Sequence, residues 1–221
     1  MSLFDHAEYT ISVHDLPLLP PDTAEEVAFV GRSNAGKSSA LNALTRRNRL
    51  AFVSKTPGRT QLINFFSLGE NRFLVDLPGY GFAGVPHEVK AHWEHLLATY
   101  VGERKSLRGL VLIMDARHPL KPLDLQMLKW FSPTGKPVHA LLTKSDKLSR
   151  GVASTTLAQV RRDLANLKLT ATAQLFSSLN KTGVEEAETR IAELFGVKIE
   201  KKETRKEKGP GKGVTPGRQQ P

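Results

Sequence analysis

The chain has 221 residues, a formal net charge of +10 and no cysteine. That length suits one α/β domain with a tail, or two small domains. The lack of thiols excludes disulfides and thiolate metal sites, and it fits a reducing compartment. No apolar run approaches the roughly 20 residues that cross a bilayer, and the amino terminus lacks the basic and apolar regions of a secretion signal. We therefore expect a cytoplasmic protein with no membrane partner.

Composition divides the chain into three regions. Residues 1–24 contain Pro17, Pro20 and Pro21, which oppose a helix and predict an irregular or edge-packed lead-in. Residues 25–197 are predicted to form the folded domain. Residues 198–221 carry eight Lys or Arg and three Glu without an apolar stripe, so we predict a disordered tail. This tail is either a solubilising segment or an aid to binding polyanions such as RNA.

The folded region alternates apolar runs with helical patterns. Five runs are continuous, which is typical of parallel strands buried on both faces. They lie at 27–30, 73–75, 110–114, 138–142 and, more weakly, 173–176. The run at 62–68 ends shortly before Phe73 and predicts an antiparallel hairpin at a sheet edge. Three helical stripes comprise Val89, Trp93, Leu96 and Tyr100; Leu157, Val160, Leu164 and Leu167; and Val184, Ala187, Ile191 and Leu194, with Gly196 as a stop.

This order of elements implies right-handed βαβ crossovers. We predict an α/β fold whose mostly parallel six-stranded sheet has one antiparallel edge strand and helices on both faces.

A glycine-rich segment follows the first of these strands. It matches GxxxxGK[ST] and stands between a predicted strand and a predicted helix, the context that this phosphate-binding loop requires. Lys37 can reach the β- and γ-phosphates, and the Ser38 hydroxyl is a suitable Mg²⁺ ligand. The helix amino terminus adds partial positive charge. The residues predicted to line the loop are Gly31, Arg32, Ser33, Asn34, Ala35, Gly36, Lys37, Ser38 and Ser39.

Two further segments are candidate sensors of the γ-phosphate. The first is Asp76, Leu77, Pro78 and Gly79, directly after a predicted strand. Asp76 can hold magnesium through a water, and Gly79 can offer its backbone N–H to the γ-phosphate.

The second sensor segment lies before the antiparallel strand and comprises Gly58, Arg59, Thr60, Gln61 and Leu62. Thr60 is the candidate second Mg²⁺ ligand, folding in when a γ-phosphate is present. Thr56 is the alternative ligand, and Thr60 is favoured because it stands at the mouth of the strand. Arg59 is either an internal arginine finger or a solvated side chain, and the solvated reading is favoured.

Two late segments are candidates for recognising the base. The first is Thr143, Lys144, Ser145 and Asp146, at the end of a buried strand. The Asp146 carboxylate can accept from both N1–H and the exocyclic amine of guanine, whereas adenine lacks that donor pair. The Lys144 stem can cover one face of the base. The second segment is Phe176, Ser177 and Ser178, whose backbone N–H groups near the serines would bind the guanine O6, although an ordinary helix cap would also explain these serines.

Several segments together resemble the YihA/EngB-type bacterial GTPases: GRSNAGKSS, TPGRTQLINFF, DLPGYGFAGV, DARHPLKPLDLQM, TKSDKL and FSSLNKTG. The resemblance covers roughly residues 25–195. It implies a Ras-like fold, Mg²⁺-dependent GTP binding, slow hydrolysis and a role in large ribosomal subunit assembly, with links to cell division and septation. The base motif begins with Thr where the commonest GTPase form has Asn, and the basic tail lies outside the resemblance.

The sequence also bears on hydrolysis. Tyr80 stands where a Ras-like enzyme places a water-orienting Gln, so we predict weak intrinsic turnover. Lys37, Thr60 and Gly79 are the residues we assign to hydrolysis. Asn34 suggests K⁺ between the phosphates as in related GTPases, the alternative being a turn-stabilising role. Arg117 and His118 are assigned no chemistry.

The leading interpretation is a monomeric switch that binds GTP and GDP, with a large-subunit precursor, its rRNA and proteins, as partner. One alternative is a P-loop phosphotransferase or ATPase, which Asp146 argues against. Another is a constitutive RNA- or ribosome-binding scaffold with a structural nucleotide site. The basic clusters support this scaffold, but the sequence lacks an aromatic RNA-stacking motif.

Overall fold

A computed structural model of the chain describes residues 2–47, 50–51, 62–81 and 87–198. These residues form one seven-stranded sheet in the order β1-β3-β4-β2-β5-β6-β7. The strands are β1 Glu8–Val13, β2 Glu25–Gly31, β3 Ile63–Gly69, β4 Arg72–Asp76, β5 Leu107–Asp115, β6 Val138–Thr143 and β7 Ala171–Leu175. Only β3 among them runs opposite to the others, since it pairs antiparallel with both β1 and β4.

Helices cover both faces of the sheet. They are α1 Lys37–Leu44, α2 His87–Glu103, α3 Pro122–Phe131, α4 Arg150–Asn166 and α5 Val184–Leu194. One apolar cluster packs α1 and α5 on one face, and a second packs α2, α3 and α4 on the other. Within the described part of the chain, no helix combines the length and apolar character needed to span a bilayer.

The α/β class with a mostly parallel sheet is confirmed, but the strand count of six was wrong by one. The lead-in contributes β1, which occupies the sheet edge and leaves β3 second from that edge. The sequence signal for β1 is weak because its first four residues are exposed and only Val13 is buried. Edge strands of this kind lack the apolar run that marks a central strand. Beyond β1, the lead-in has a short 3₁₀ turn at Leu16–Leu18.

The predicted helical stripes agree with the structure at most positions. Trp93, Leu96 and Tyr100 are buried on α2, and Val160 and Leu164 are buried on α4. The stripe on α5 is buried at Val184, Ala187 and Ile191, and Leu194 packs against it. Leu167, however, follows the end of α4 and is exposed. Helix α3 was not predicted, although Pro at its first position is a recognised start signal.

The amino-terminal end of β2 is fixed by buried hydrogen bonds to the Glu26 carboxylate. Glu26 accepts from Arg104 Nη2 at 2.6 Å and from the Tyr100 hydroxyl at 2.6 Å. All three side chains are buried, and each partner comes from the region around the end of α2. This arrangement fixes the amino end of the central strand against the neighbouring helix.

The carboxyl ends of the parallel strands meet at one edge of the sheet. Gly31 ends β2 opposite Ile113 of β5, and Asp115 of β5 pairs in register with Thr143 of β6. Loops at this edge therefore come from four neighbouring strands, the arrangement in which open α/β sheets bind ligands.

Candidate functional site

The glycine-rich loop is held close to the neighbouring strands. A Cβ on Gly31 would lie 2.5 Å from the Ile113 carbonyl oxygen, so only glycine fits there. Gly36 precedes α1 with a φ of 98°, a left-handed conformation that other residues rarely adopt. Its backbone lies against Thr143, since a Cβ added to Gly36 would stand only 3.4 Å from the Thr143 hydroxyl oxygen. These close approaches place the loop over the sheet edge, with Lys37 opening the helix.

The segment after β4 is bonded to the start of this loop through the backbone. The Tyr80 N–H donates to the Gly31 carbonyl at 3.2 Å, and the Ser33 N–H donates to the Tyr80 carbonyl at 2.8 Å. A Cβ on Gly79 would lie 3.5 Å from both the Gly31 oxygen and the Ser33 nitrogen. Asp76, Leu77, Pro78 and Gly79 thus run directly beside the glycine-rich loop.

A direct ion pair joins the two segments. The Lys37 ammonium contacts Asp76 Oδ1, and the two side chains are 12% and 9% exposed. Ser38 follows Lys37 in the first turn of α1 and is partly buried. The side chains predicted to hold phosphate and the magnesium-bound water therefore lie together.

Tyr80 does not face the phosphate side of this segment. Its ring is 4% exposed, belongs to the core and lies 6.4 Å from the Trp93 ring. Its hydroxyl donates to Asp124 at 2.8 Å. Burial, followed by the neighbouring Asp124 charge, raises the pKa of the phenol well above its ordinary value. The residue after Gly79 therefore presents its backbone, and not its side chain, to the site.

The motif after β6 reaches across to the glycine-rich loop. The Thr143 hydroxyl contacts the Ala35 carbonyl and lies 3.0 Å from the Met114 carbonyl. The Lys144 ammonium donates to the Asn34 carbonyl at 2.6 Å. Lys144 has a φ of 56°, a left-handed conformation that turns the chain sharply after the strand. The candidate phosphate and base segments are consequently in contact.

Asp146 is held by the last predicted segment. The Ser177 hydroxyl donates to Asp146 Oδ1 at 2.6 Å, and this hydrogen bond is the largest cause of the lowered pKa of that carboxyl. The Ser145 hydroxyl and N–H both donate to the Phe176 carbonyl, at 3.0 and 3.2 Å.

One backbone donor of the predicted base segment already has a partner within the protein. The Ser177 N–H donates to the Thr182 carbonyl at 3.0 Å, because the loop folds back on itself before α5. It is therefore engaged within the loop and does not offer a free donor to a guanine O6. Ser178 is the remaining member of the predicted pair, and its partly exposed position follows the buried Ser177.

Two residues at this site were missed or set aside at the level of sequence. Asp115 accepts from Arg117 Nε at 2.9 Å and Arg117 Nη2 at 2.6 Å, and it forms an ion pair with Lys144 at 3.1 Å. Hydrogen bonds from Arg117 are the main cause that holds the Asp115 pKa far below its usual range. The available signal was the position of Asp115, at the end of a strand beside the one that carries Thr143.

Part of the predicted site lies outside the described residues. These residues are Gly58, Arg59, Thr60 and Gln61, together with the alternative ligand Thr56. Leu62 is described and directly precedes β3. Of the two predicted metal ligands, the structure therefore describes Ser38 but not Thr60.

The sheet, the glycine-rich loop before α1 and the motifs at neighbouring strand ends define a Ras-like P-loop GTPase. Residues 26–144 match the family described as 50S ribosome-binding GTPase. The "Probable GTP-binding protein EngB" of Methylobacillus flagellatus is 64% identical over 191 residues, covering 86% of this chain and 92% of that protein. The protein of the same name from Thiobacillus denitrificans is 62% identical, with 86% and 91% covered. The chain belongs to the EngB family of GTP-binding proteins and is a GTPase.

Solved structures agree at the level of fold. A crystal structure of a probable GTP-binding protein engB superposes with a TM-score of 0.62 at 21% identity, covering 77% of this chain and 98% of that one. Era in complex with MgGDPNP and nucleotides 1506–1542 of 16S ribosomal RNA gives a TM-score of 0.60 at 21% identity, covering 77% and 56%. The predicted resemblance is confirmed.

Proposed function

We propose that the described segments at the carboxyl ends of the parallel strands form a single GTP site. We further propose that the nucleotide bound there controls association with a large ribosomal subunit precursor. The observation that carries the proposal is the unbroken series of contacts around the edge. Lys37 contacts Asp76, Lys144 bonds to Asn34, and Ser177 bonds to Asp146. These contacts bring residues from four separate parts of the chain together, which supports a site for one ligand.

Within this site we assign the phosphates to the glycine-rich loop. The loop stands at the amino terminus of α1, where N–H groups and the helix dipole favour anions. The Lys37 side chain would exchange its Asp76 partner for the β- and γ-phosphates on nucleotide binding. Gly79 would offer its N–H to the γ-phosphate, with no side chain of its own to block the approach.

The donor set fits Mg²⁺. The Ser38 hydroxyl and Asp76 carboxylate are hard oxygen donors on adjacent segments, and Mg²⁺ in nucleotide sites uses one or two protein oxygens with phosphates and waters. When bound, the ion would neutralise charge between the β- and γ-phosphates. Ser38 and the undescribed Thr60 remain our assigned protein ligands, with Asp76 acting through a water.

Guanine selectivity is assigned to Asp146. Its carboxylate is oriented by the Ser177 hydroxyl, and a fixed acceptor pair suits the N1–H and exocyclic amine of guanine. A base lacking those donors would leave the carboxylate without partners, which costs binding strongly.

We infer slow intrinsic hydrolysis, and the orientation of Tyr80 supports this inference. The phenol is committed to Asp124 inside the core, so this position provides no group to orient an attacking water. Turnover on the order of 10⁻³ s⁻¹ or slower is expected, as in Ras without its activator. A K⁺ ion beside the exposed Asn34 is one candidate for the positive charge that would stabilise the phosphates during hydrolysis. Equal hydrolysis rates in K⁺ and Na⁺ buffers would argue against this ion.

The ribosomal role is supported by relatives and by charge. The matching family is described as 50S ribosome-binding. The net charge of +10 favours a polyanionic partner. Links to cell division and septation are proposed from the family resemblance, and the tail 198–221 is proposed as an accessory basic segment beside the domain at 25–197.

Nucleotide selectivity tests the site. Titration with fluorescent GDP and competition by GTP, ATP and XTP should show guanine nucleotides binding at least 100-fold more tightly than ATP. Asp146→Asn should shift preference from guanine toward xanthine, whose 2-oxo group needs a donor. Equal competition by ATP would reject the assigned site.

Nucleotide-dependent association tests the switch. Sedimentation with ribosomal subunits in GDP and in a non-hydrolysable GTP analogue should show binding to large-subunit particles that differs between the two states. Association that is equal in both states and unchanged by Lys37→Ala would favour the constitutive scaffold.

A further inference from the structure

Asp115 lies beside the base motif but belongs to a different strand. It ends β5, pairs in register with Thr143 of β6, and its side chain is 10% exposed. Its Oδ2 lies 3.1 Å from the Lys144 ammonium. The carboxylate therefore faces the residue whose stem is expected to cover the guanine base.

The carboxylate is itself fixed. Arg117 donates to it through Nε at 2.9 Å, Nη2 at 2.6 Å and its backbone N–H at 3.0 Å. Two parallel bonds from a planar guanidinium define both position and orientation. Asp115 is thus an anchored acceptor at the rim of the site.

Lys144 needs an external anchor. Its side chain has four rotatable bonds, is about one-third exposed, and leaves a backbone turned into the left-handed region at φ 56°. A free lysine stem samples many rotamers, and ordering it on binding costs affinity. The Asn34 carbonyl, at 2.6 Å, and the Asp115 carboxylate together hold the ammonium at two points.

We infer that Asp115 is a positioning residue for guanine-nucleotide binding, acting by fixing the Lys144 side chain across the base, with Arg117 holding Asp115 in place. This inference rests on the proposed nucleotide site. Asp115 is assigned no contact with the nucleotide. Its effect passes through Lys144 alone, and this sets it apart from a residue that merely stabilises the loop.

A double-mutant cycle measures that dependence. The four proteins are the unaltered chain, Asp115→Asn, Lys144→Met and the double variant, with affinity for fluorescent GDP as the readout. Asp115→Asn preserves shape and an acceptor for Arg117, and Lys144→Met preserves the apolar stem. We expect Asp115→Asn to weaken GDP binding about fivefold in the unaltered background and less than about 1.5-fold in the Lys144→Met background.

Controls separate positioning from folding. Asp163→Asn removes an α4 carboxylate bonded to Gln159 and should leave GDP affinity unchanged. Thermal unfolding by circular dichroism checks each variant, and Arg117→Met replaces Asp115→Asn in the cycle if the latter does not fold. Equal losses from Asp115→Asn in both backgrounds would overturn the inference while leaving the GTP site intact. Unchanged affinity in Lys144→Met would also overturn it, because the stem would then cover the base without its two anchors. Failure of the unaltered chain itself to bind GDP would instead reject the proposed nucleotide site.

Discussion

Tyr80 donates its phenol hydrogen to Asp124 across 2.8 Å, joining the segment after Gly79 to the first turn of α3. Asp124 also accepts the Lys121 N–H at 2.9 Å and closes the amino terminus of that helix. Arg32 of the glycine-rich loop approaches the same carboxylate at 3.3 Å. The buried Asp124 carboxylate thus links the glycine-rich loop, the segment after β4 and the amino terminus of α3.

Tyr80→Phe separates a structural from a catalytic role for this phenol. Loss of the buried hydrogen bond leaves Asp124 less well satisfied and should lower the free energy of unfolding by about 1–2 kcal/mol. Single-turnover GTP hydrolysis should change less than about twofold, because the hydroxyl points into the core. Tyr9→Phe, at an exposed hydroxyl, is the matched control for denaturant unfolding. A large fall in hydrolysis with unchanged stability would contradict the observed orientation.

Gly31→Ala tests whether the loop depends on close packing at the sheet edge. The new Cβ would meet the Ile113 carbonyl oxygen at 2.5 Å. Because that oxygen belongs to the backbone, no side-chain rotation can relieve the clash. We expect destabilisation of about 2–4 kcal/mol and loss of GDP binding. Gly151→Ala, in α4 with open space around its Cα, should be neutral or stabilising by up to about 1 kcal/mol. Similar unfolding midpoints for the two variants would refute this packing argument.

Ser177→Ala tests the orientation of the base-recognising carboxylate. Without the 2.6 Å bond from the Ser177 hydroxyl, Asp146 is free to rotate, and its pKa should move up toward the ordinary aspartate value. GDP affinity should fall about three- to tenfold, measured by fluorescent-nucleotide titration. Thr189→Ala, at an exposed hydroxyl on α5, should leave affinity unchanged. An unaltered GDP affinity in Ser177→Ala would show that Asp146 does not need this partner.

His139 should make the fold sensitive to mild acid. Burial lowers its pKa from 6.5 to about 4. The hydrogen bond between His139 Nε2 and the accepting Gln174 amide oxygen opposes this shift, and Arg190, Glu193 and Arg161 are neighbouring charges. Between those values the unfolded chain binds the proton and the native chain does not. The contribution of the neutral His139 to the free energy of unfolding is therefore complete above pH 6.5, and it decreases as the pH drops toward 4.

Lowering the pH from 7 to 5 should remove about 2 kcal/mol through this histidine alone. The measurement is urea unfolding at both pH values for the unaltered chain and for His139→Gln. On acidification, the free energy of unfolding of His139→Gln should fall less than that of the unaltered chain by this amount. His6→Gln, at an exposed position, should retain the full dependence. Identical pH dependence in His139→Gln and the unaltered chain would contradict the argument.

The central strands and the order of motifs were predictable because buried parallel strands leave continuous apolar runs. The strands around Val27, Leu112 and Leu141 are confirmed, and all three side chains are completely buried. Strand β1 was not predictable on the same basis, since an exposed edge strand lacks that signal. Its place in the sheet comes from pairing with β3, a long-range contact that local composition does not encode.

The orientation of side chains within motifs was also beyond the sequence. Tyr80 follows the glycine of a loop motif, and nothing in its neighbours indicates that it turns inward toward Trp93 and Asp124. The same holds for Arg117. Its inferred role in holding Asp115 depends on Asp115 contacting Lys144, which follows a different strand. Both features arise when separate elements meet, so spacing along the chain could not reveal them.

The buried Glu26–Arg104 pair lies at one end of β2, and Gly31 is wedged against Ile113 at the other. The strand that delivers the glycine-rich loop is therefore restrained at both termini. We expect a nucleotide bound there to meet a backbone that these contacts already restrain, so that little ordering entropy is lost on binding. Substitutions at Glu26, although distant from any phosphate, should consequently alter nucleotide affinity by loosening the strand from its far end.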